Sequence, residues 1–176
     1  SAISKLFGEG GGKLGGLLSF RDEILDPAQN DLGRIGVVMG TAFNLQHQLG
    51  MDLDGDLGAD FFSLASPQVS GHNANGGSGT VDVSFDSATI TALTGQDYVI
   101  SYDGAAWNLT DLDGNAVTMT GAGTLASPFN VDGLNIVVGG APNAGDRFMI
   151  RPTRDGGEDI GLVINGVRDI AAAAPV

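Results

Sequence analysis

Residues 25 to 49 carry a regular stripe of apolar side chains that strongly constrains how this chain can fold. The stripe recurs at alternating intervals of three and four residues, which places its members along one face of a single α-helix. Gln46 interrupts it, either setting the register of a helix bundle or marking where the helix leaves the core. A narrow apolar stripe is typical of a helix that packs lengthwise against another helix. This packing seam consists of Leu25, Ala28, Leu32, Ile35, Met39, Ala42 and Leu49.

The sequence predicts two helices, over about 13–24 and 27–49. Asp26 and Pro27 are typical of a helix start, because Asp accepts backbone N–H bonds and Pro fits the first turn. Gly50 is expected to end the second helix, since glycine is common just after a helix C-terminus. If the seam is buried, the unpaired charge of Met39→Asp should unfold this part of the chain.

From Thr80 onward the apolar residues alternate with polar ones, which predicts about six short β-strands. Asp-Gly pairs separate several of these runs and predict hairpin turns, because both residues tolerate positive φ. The clearest alternating runs are 80–85, 98–102, 107–110 and 134–138. The Asp-Gly pairs stand at 103–104, 113–114 and 132–133.

We therefore predict an α+β fold, in which long helices form a helical-bundle domain and a small antiparallel β-sandwich or barrel is inserted into it. The predicted division is a flexible lead-in at 1–12, a helical domain at 13–65, a β domain at 66–154 and a return segment at 155–176. The return segment is expected to pack on the helical domain.

Composition excludes several classes of function. The net charge of −13 disfavours binding to nucleic acid or to an anionic membrane. No Lys or Arg lies between Arg34 and Arg147, while aspartate recurs there, so the middle of the chain presents an acidic, solvated surface. No apolar run is long enough to span a bilayer, and the lack of cysteine excludes disulfides and thiol chemistry.

A loop after the second helix carries carboxylates at alternate positions, a pattern that can wrap a hard cation such as calcium. The spacing departs from an EF-hand loop, because Leu57 stands where Gly is needed and Ser63 where a bidentate Glu is needed. The alternative is a polar loop that its charges keep in water. The candidate ligands are Asp52, Asp54, Asp56 and Asp60, and a secreted calcium-binding adhesion module is therefore the rival hypothesis.

No other constellation predicts an enzyme. His47 and His72 are the only histidines, too few for a zinc site. We expect His47 to complement the helix dipole as a cation and His72 to be solvated. A polysaccharide-acting enzyme is a remote third hypothesis, which no convergent His, Cys or isolated Glu pair supports. We predict no catalytic residue and no cofactor.

Several stretches resemble a known family. The sequence GGKLGGLLSFRD over 11–22, LDPAQN over 25–30 and AFNLQHQLGMD over 42–52 resemble the middle region of the first flagellar hook-associated protein family. More loosely, 97–103 and 145–148 resemble that family's outer β domain.

The resemblance implies a structural subunit of the bacterial flagellum at the hook–filament junction, with no catalysis. It also implies an extracellular location, export through the flagellar type III apparatus, and assembly with itself, the hook protein and the second junction protein. Members of this family are considerably longer, so we interpret the chain as a middle segment. In isolation we expect a monomer, because the family's polymerising terminal segments are absent from it.

Overall fold

The structure, a computed structural model, describes residues 12–174; residues 1–11 of the predicted lead-in lie outside the described part. The first described feature is a continuous helical rod. It consists of helix α1 (Gly12–Phe20), a π-helical turn (Arg21–Leu25) and helix α2 (Asp26–Gln48).

The rod does not break where the sequence predicted. The backbone N–H of Asp26 donates to the carbonyl of Arg21, five residues earlier, and Asp26 itself is helical (φ −63°, ψ −45°). Asp26 therefore does not begin a separate helix, and that prediction was wrong. π-Helical structure is rare and occurs mostly as single turns inside α-helices. This turn lies just before Pro27, which has no N–H to donate to the helix.

Ten short strands follow in the described part, all paired antiparallel. They are β1 (Phe62–Ser63), β2 (Gln68–Gly71), β3 (Thr80–Phe85), β4 (Tyr98–Tyr102), β5 (Trp107–Asp111), β6 (Ala116–Val117), β7 (Phe129–Val131), β8 (Leu134–Gly139), β9 (Arg147–Arg151) and β10 (Gly161–Leu162). Five form a sheet in the order β2-β9-β4-β5-β6, three form β3-β8-β7, and β1 pairs with β10. Strands β2 to β9 are called the β module below.

The predicted Asp-Gly turns are confirmed. Gly104 and Gly114 have φ of 104° and 87° and connect β4 to β5 and β5 to β6. Between β7 and β8, Asp132 (φ 45°) and Gly133 (φ 77°) both adopt the left-handed conformation that a two-residue hairpin requires.

One apolar core joins the two larger sheets to the rod. Strands of both sheets contribute buried residues, and Val37 of α2 belongs to the same cluster. The fully buried side chains include Ile100, Ile136 and Ile150. The α+β class is therefore correct, whereas the predicted helical bundle is not found: within residues 12–174 no second long helix lies beside the rod.

The chain that follows β9 lies directly on α2, backbone against backbone. A Cβ atom placed on Gly33 would lie 1.7 Å from the carbonyl oxygen of Thr153, and one on Gly36 would lie 2.5 Å from that of Gly156. Gly50 has a related role: a Cβ there would lie 2.2 Å from the carbonyl oxygen of Ala171. Gly50 follows the C-cap residue Leu49, so the helix ends where the sequence predicted. Its φ is not positive, so a glycine is required there for close approach.

Gly33 lies where α2 meets the chain after β9, with no space for a side chain. Gly33→Ala should lower the free energy of unfolding by about 1–3 kcal/mol or more, because the methyl group can only be accommodated by separating two backbones. Urea denaturation of the isolated chain measures this. Gly16→Ala in α1 is the matched control: nothing lies within 4 Å of its added Cβ, so the substitution should stabilise by about 0.5–1 kcal/mol. Equal effects of the two substitutions would contradict the close approach.

Asp146 ties two loops of the β module together and is buried, with 2% of its surface exposed. Its carboxylate accepts backbone N–H bonds from Asn143 (2.8 Å), Gly76 (2.8 Å) and Gly77 (3.1 Å). These bonds, that of Asn143 first, stabilise the ionised form and lower the pKa of Asp146 below its ordinary value of 3.8, although burial opposes the shift.

Because the pKa of Asp146 is lower in the folded state, its ionised carboxylate stabilises the fold. The contribution of Asp146 is present above pH 3.8, its ordinary value, and is lost as the pH falls through the lowered folded-state value. Asp146→Asn should therefore lower the melting temperature at neutral pH and flatten its decline in acid. Thermal melts across the acid range test this against Asp82→Asn, an exposed control in β3; an unchanged acid profile would contradict the assignment.

Candidate functional site

The packing seam lies exposed along α2. Its five large side chains, Leu25, Leu32, Ile35, Met39 and Leu49, are each between 50% and 66% exposed, and Ala28 and Ala42 are exposed as well. In the described chain these residues do not form the buried side of the helix. The expectation that Met39→Asp unfolds the isolated chain is therefore corrected: a charge at that position can remain in water.

The opposite face of α2 is the buried one, and it follows the same three-four spacing. A Cβ there would overlap neighbouring atoms at Gly33 and, by its 2.4 Å distance to Leu64 Cδ2, at Gly40. Sequence analysis missed this stripe because Val37 is its only large apolar member. The spacing of small and amide residues could have revealed it. The buried stripe consists of Asn30, Gly33, Val37, Gly40, Asn44 and His47.

Asn44 binds the segment that returns from the end of the helix. Its Oδ1 accepts the backbone N–H groups of Phe61 (3.0 Å) and Phe62 (2.9 Å), and its Nδ2 donates to the Phe62 carbonyl (2.8 Å). The side chain thus pairs with an extended backbone as a neighbouring strand would, just where β1 begins.

His47 joins three segments at the end of the rod and is 6% exposed. Its Nε2 accepts the backbone N–H of Ala171 (2.9 Å), and its Nδ1 lies 2.7 Å from the carbonyl oxygen of Ala59. A carbonyl can only accept and an N–H can only donate, so Nδ1 carries the proton and Nε2 does not. The predicted role of His47 as a cation at the helix terminus is therefore wrong.

A groove of about 530 Å³ borders this end of the rod. Phe43, Gln46 and Leu49 line one side, and residues 170–174 line the other. Gln46 is exposed here, so the interruption of the seam faces the groove. The apolar seam and this groove form one continuous candidate surface at Leu49.

The aspartate loop does not assemble a cation site. Asp52 Oδ1 accepts the N–H groups of Asp54 (2.8 Å) and Asp56 (2.9 Å), which, Asp56 first, lower the pKa of Asp52. Asp54 pairs with Arg168, and Asp60 accepts a bond from Gln48 (2.7 Å). Among the described residues no three His, Cys, Asp or Glu side chains are placed to hold a metal ion. The calcium hypothesis is thus not supported.

The surface beyond the rod is acidic. Twelve aspartates and no Lys or Arg lie between Arg34 and Arg147. His72 is exposed, with its Nε2 3.4 Å from Arg147. Among residues 12–174, no helix has the length and apolar character needed to cross a membrane.

A continuous helical rod with an exposed apolar stripe, carrying a β module, is an arrangement typical of subunits that pack into larger structures. The comparisons agree. The model of the "Flagellar hook-associated protein FlgK helical domain" matches residues 4–62, and that of the "Flagellar hook-associated protein 1, D2-like domain" matches residues 71–152. The chain belongs to the flagellar hook-associated protein 1 family.

Individual relatives support this assignment. Flagellar hook-associated protein 1 of Salmonella typhimurium is 35% identical over 163 residues, and that of Escherichia coli is 34% identical over 166 residues. Each match covers 93% of this chain and 29% of the relative. The solved structure of the flagellar hook junction protein FlgK from Burkholderia pseudomallei matches with a TM-score of 0.81 and 38% identity, covering 92% of this chain and 29% of that one. The chain thus spans under a third of these relatives.

Asn44 provides the test of the buried stripe. Asn44→Ala should lower the free energy of unfolding by at least about 2 kcal/mol, because two N–H groups and one carbonyl lose their partner in a partly buried site. Gln46→Ala, exposed two residues away, should change it by no more than about 0.5 kcal/mol. Chemical denaturation measures the free energy of unfolding of both variants. If Asn44→Ala leaves it unchanged, the segment at Phe61 and Phe62 does not depend on this side chain.

Proposed function

We propose that this chain forms part of a structural subunit at the junction of hook and filament in the bacterial flagellum, a mechanical adaptor with no catalytic role. Family membership supports the proposal, since the relatives are named a flagellar hook-associated protein and a flagellar hook junction protein. The observation that carries it is the seam: large apolar side chains remain exposed along a 23-residue helix whose other face is already fixed.

The seam is proposed as a helix-packing surface of the assembled flagellum. Helix α2 is about 35 Å long, and the seam runs along it. Apolar residues on protein surfaces are usually scattered singly, whereas a contiguous apolar patch marks an interaction site. The three-four spacing of the seam fits a helical partner, supplied by the rest of the subunit or by neighbouring axial proteins such as the hook protein and the second junction protein. Contacts repeated from copy to copy in this way build rings or helical tubes.

We also propose that different parts of the chain have different roles in the assembled flagellum. The helical part (13–65) and the return segment (155–176) would belong to the packed layer, and the β domain (66–154) would project into the medium as an extracellular surface. The two family models divide between residues 62 and 71, near this boundary. Acidic charge favours the solubility of an outward module. We further propose that the isolated chain is a monomer. The full-length protein would be exported by the flagellar type III apparatus.

A chromosomal Met39→Asp allele in the bacterium that encodes this chain tests the proposal. Because Met39 is exposed, the isolated chain should keep its melting temperature. In the cell the charge would be buried without a partner at the helix contact, at a cost of several kcal/mol. We expect loss of swimming in soft agar and hooks without attached filaments in electron micrographs.

Two control alleles distinguish the seam from general effects of substitution. Met39→Leu keeps the position apolar and should remain motile. Leu125→Asp introduces the same charge at an 88% exposed position of the β module, and it should remain motile as well. Full motility of Met39→Asp, with normal protein levels, would refute the assembly role of the seam.

A further inference from the structure

The first turns of α2 meet the β module through a set of polar side chains at one end of the five-stranded sheet. Asp97 immediately precedes β4 and Arg151 ends β9, and these two strands are neighbours, with Tyr98 opposite Ile150. Asn30 of α2 faces this sheet end. The polar joint is defined here as Asp26, Asn30, Asp97, Arg151 and Arg154.

Asn30 makes the direct contact across the polar joint and is 5% exposed. Its Nδ2 donates to the carbonyl of Gly95 (3.2 Å) and to Asp97 Oδ1 (3.1 Å). The Asp97 carboxylate is itself only 8% exposed. One amide from the rod therefore binds both the backbone and the side chain of the loop that leads into β4.

Two ion pairs complete the joint. Arg151 Nε lies 3.7 Å from Asp97 Oδ2, within the β module, and Arg154 Nη2 lies 3.3 Å from Asp26 Oδ1, across to the rod. Burial raises the pKa of Asp97, and the positive charge of Arg151 opposes that rise. The sequence thus places a carboxylate where its ionisation is costly and then supplies a cation beside it.

Some buried polar atoms in this region have no hydrogen-bond partner. The described residues with a buried side-chain nitrogen or oxygen lacking a hydrogen-bond partner are Asn30, Arg34, Arg151 and Thr153. Asn30 and Arg151 belong to the polar joint. Thr153 directly precedes Arg154, and Arg34 lies one turn after Asn30 in α2. Buried polar atoms are normally bonded, so this contact contributes less to stability than an apolar one of the same size would. A polar contact can nevertheless specify one arrangement, because hydrogen bonds and ion pairs are directional.

We propose that the polar joint is an orientation lock, which fixes the angle between the rod and the β module while the apolar core and the glycine contact hold the two together. The glycine contacts, Gly33 with Thr153 and Gly36 with Gly156, attach one segment to the rod, the chain that follows β9. The bond from Asn30 to Asp97 is a second point of attachment, and two points fix the direction. Removing the second point should release the angle without unfolding either part.

Distance measurement tests the lock directly. The chain has no cysteine, so spin labels on Ala42→Cys in α2 and Leu112→Cys between β5 and β6, both exposed, report one distance between rod and module by pulsed electron resonance. The background chain should give a single narrow distribution. Asp97→Ala should broaden or shift it while the far-UV circular dichroism stays unchanged. Asp82→Ala, exposed in β3 and away from the joint, should leave it unaltered.

Arg151→Gln keeps the test decisive if Asp97→Ala fails to fold. Arg151 is partly exposed, so its loss can be compensated by water and the fold should persist, whereas the Asp97 carboxylate loses its cation. Broadening in Arg151→Gln supports the lock. A distribution identical to the background in a folded Asp97→Ala or Arg151→Gln chain would overturn it.

Discussion

The fold depends on a contact between two backbones. Because Gly33 and Gly36 carry no side chain, the segment after β9 can lie directly on α2, with the carbonyls of Thr153 and Gly156 in the space that Cβ atoms would occupy. That contact brings the end of the five-stranded sheet to the rod, buries Val37 in the common core, and places Asn30 within reach of Asp97. A larger side chain at Gly33 would separate all three at once.

The strands and their turns could be predicted from sequence because their signals are local. Alternation in 80–85 and 98–102 matches β3 and β4, and the Asp-Gly pairs take the backbone angles that only such residues adopt readily. The continuation of the helix through Pro27 and the buried side of α2 could not be predicted, because local sequence signals do not decide them. A π-helical turn accommodated Pro27, and burial of glycine and asparagine depends on which backbone lies opposite. The apolar spacing placed the seam residues on one face of α2, but it did not reveal which face the described chain buries. The role of the seam as a packing surface stays a prediction.

Helix α2 therefore presents two stripes of the same spacing on opposite faces, with different physical consequences. The stripe of Asn30, Gly33 and Asn44 is specific, since amides and glycines fit one partner backbone and leave unbonded groups against any other. The seam is non-directional, because apolar contact depends on area more than on angle. A subunit that joins two differently shaped tubes, as proposed, needs a rigid internal arrangement and external contacts that tolerate small changes in angle. The chemistry of the two faces supplies these separately.

The distribution of charge works in the same direction. In the described chain the cations tie segments together: Arg154 binds Asp26, Arg151 lies beside Asp97, and Arg168 holds Asp54 and with it the return segment. Several aspartates of the β module are exposed, with few cations among them, so modules of neighbouring copies in the proposed assembly would repel one another. Such repulsion would leave the seam, which carries no aspartate or glutamate, as the favourable place for contact. In the proposed assembly the acidic bias of the β module would therefore direct association to the rod, where apolar burial would provide the free energy.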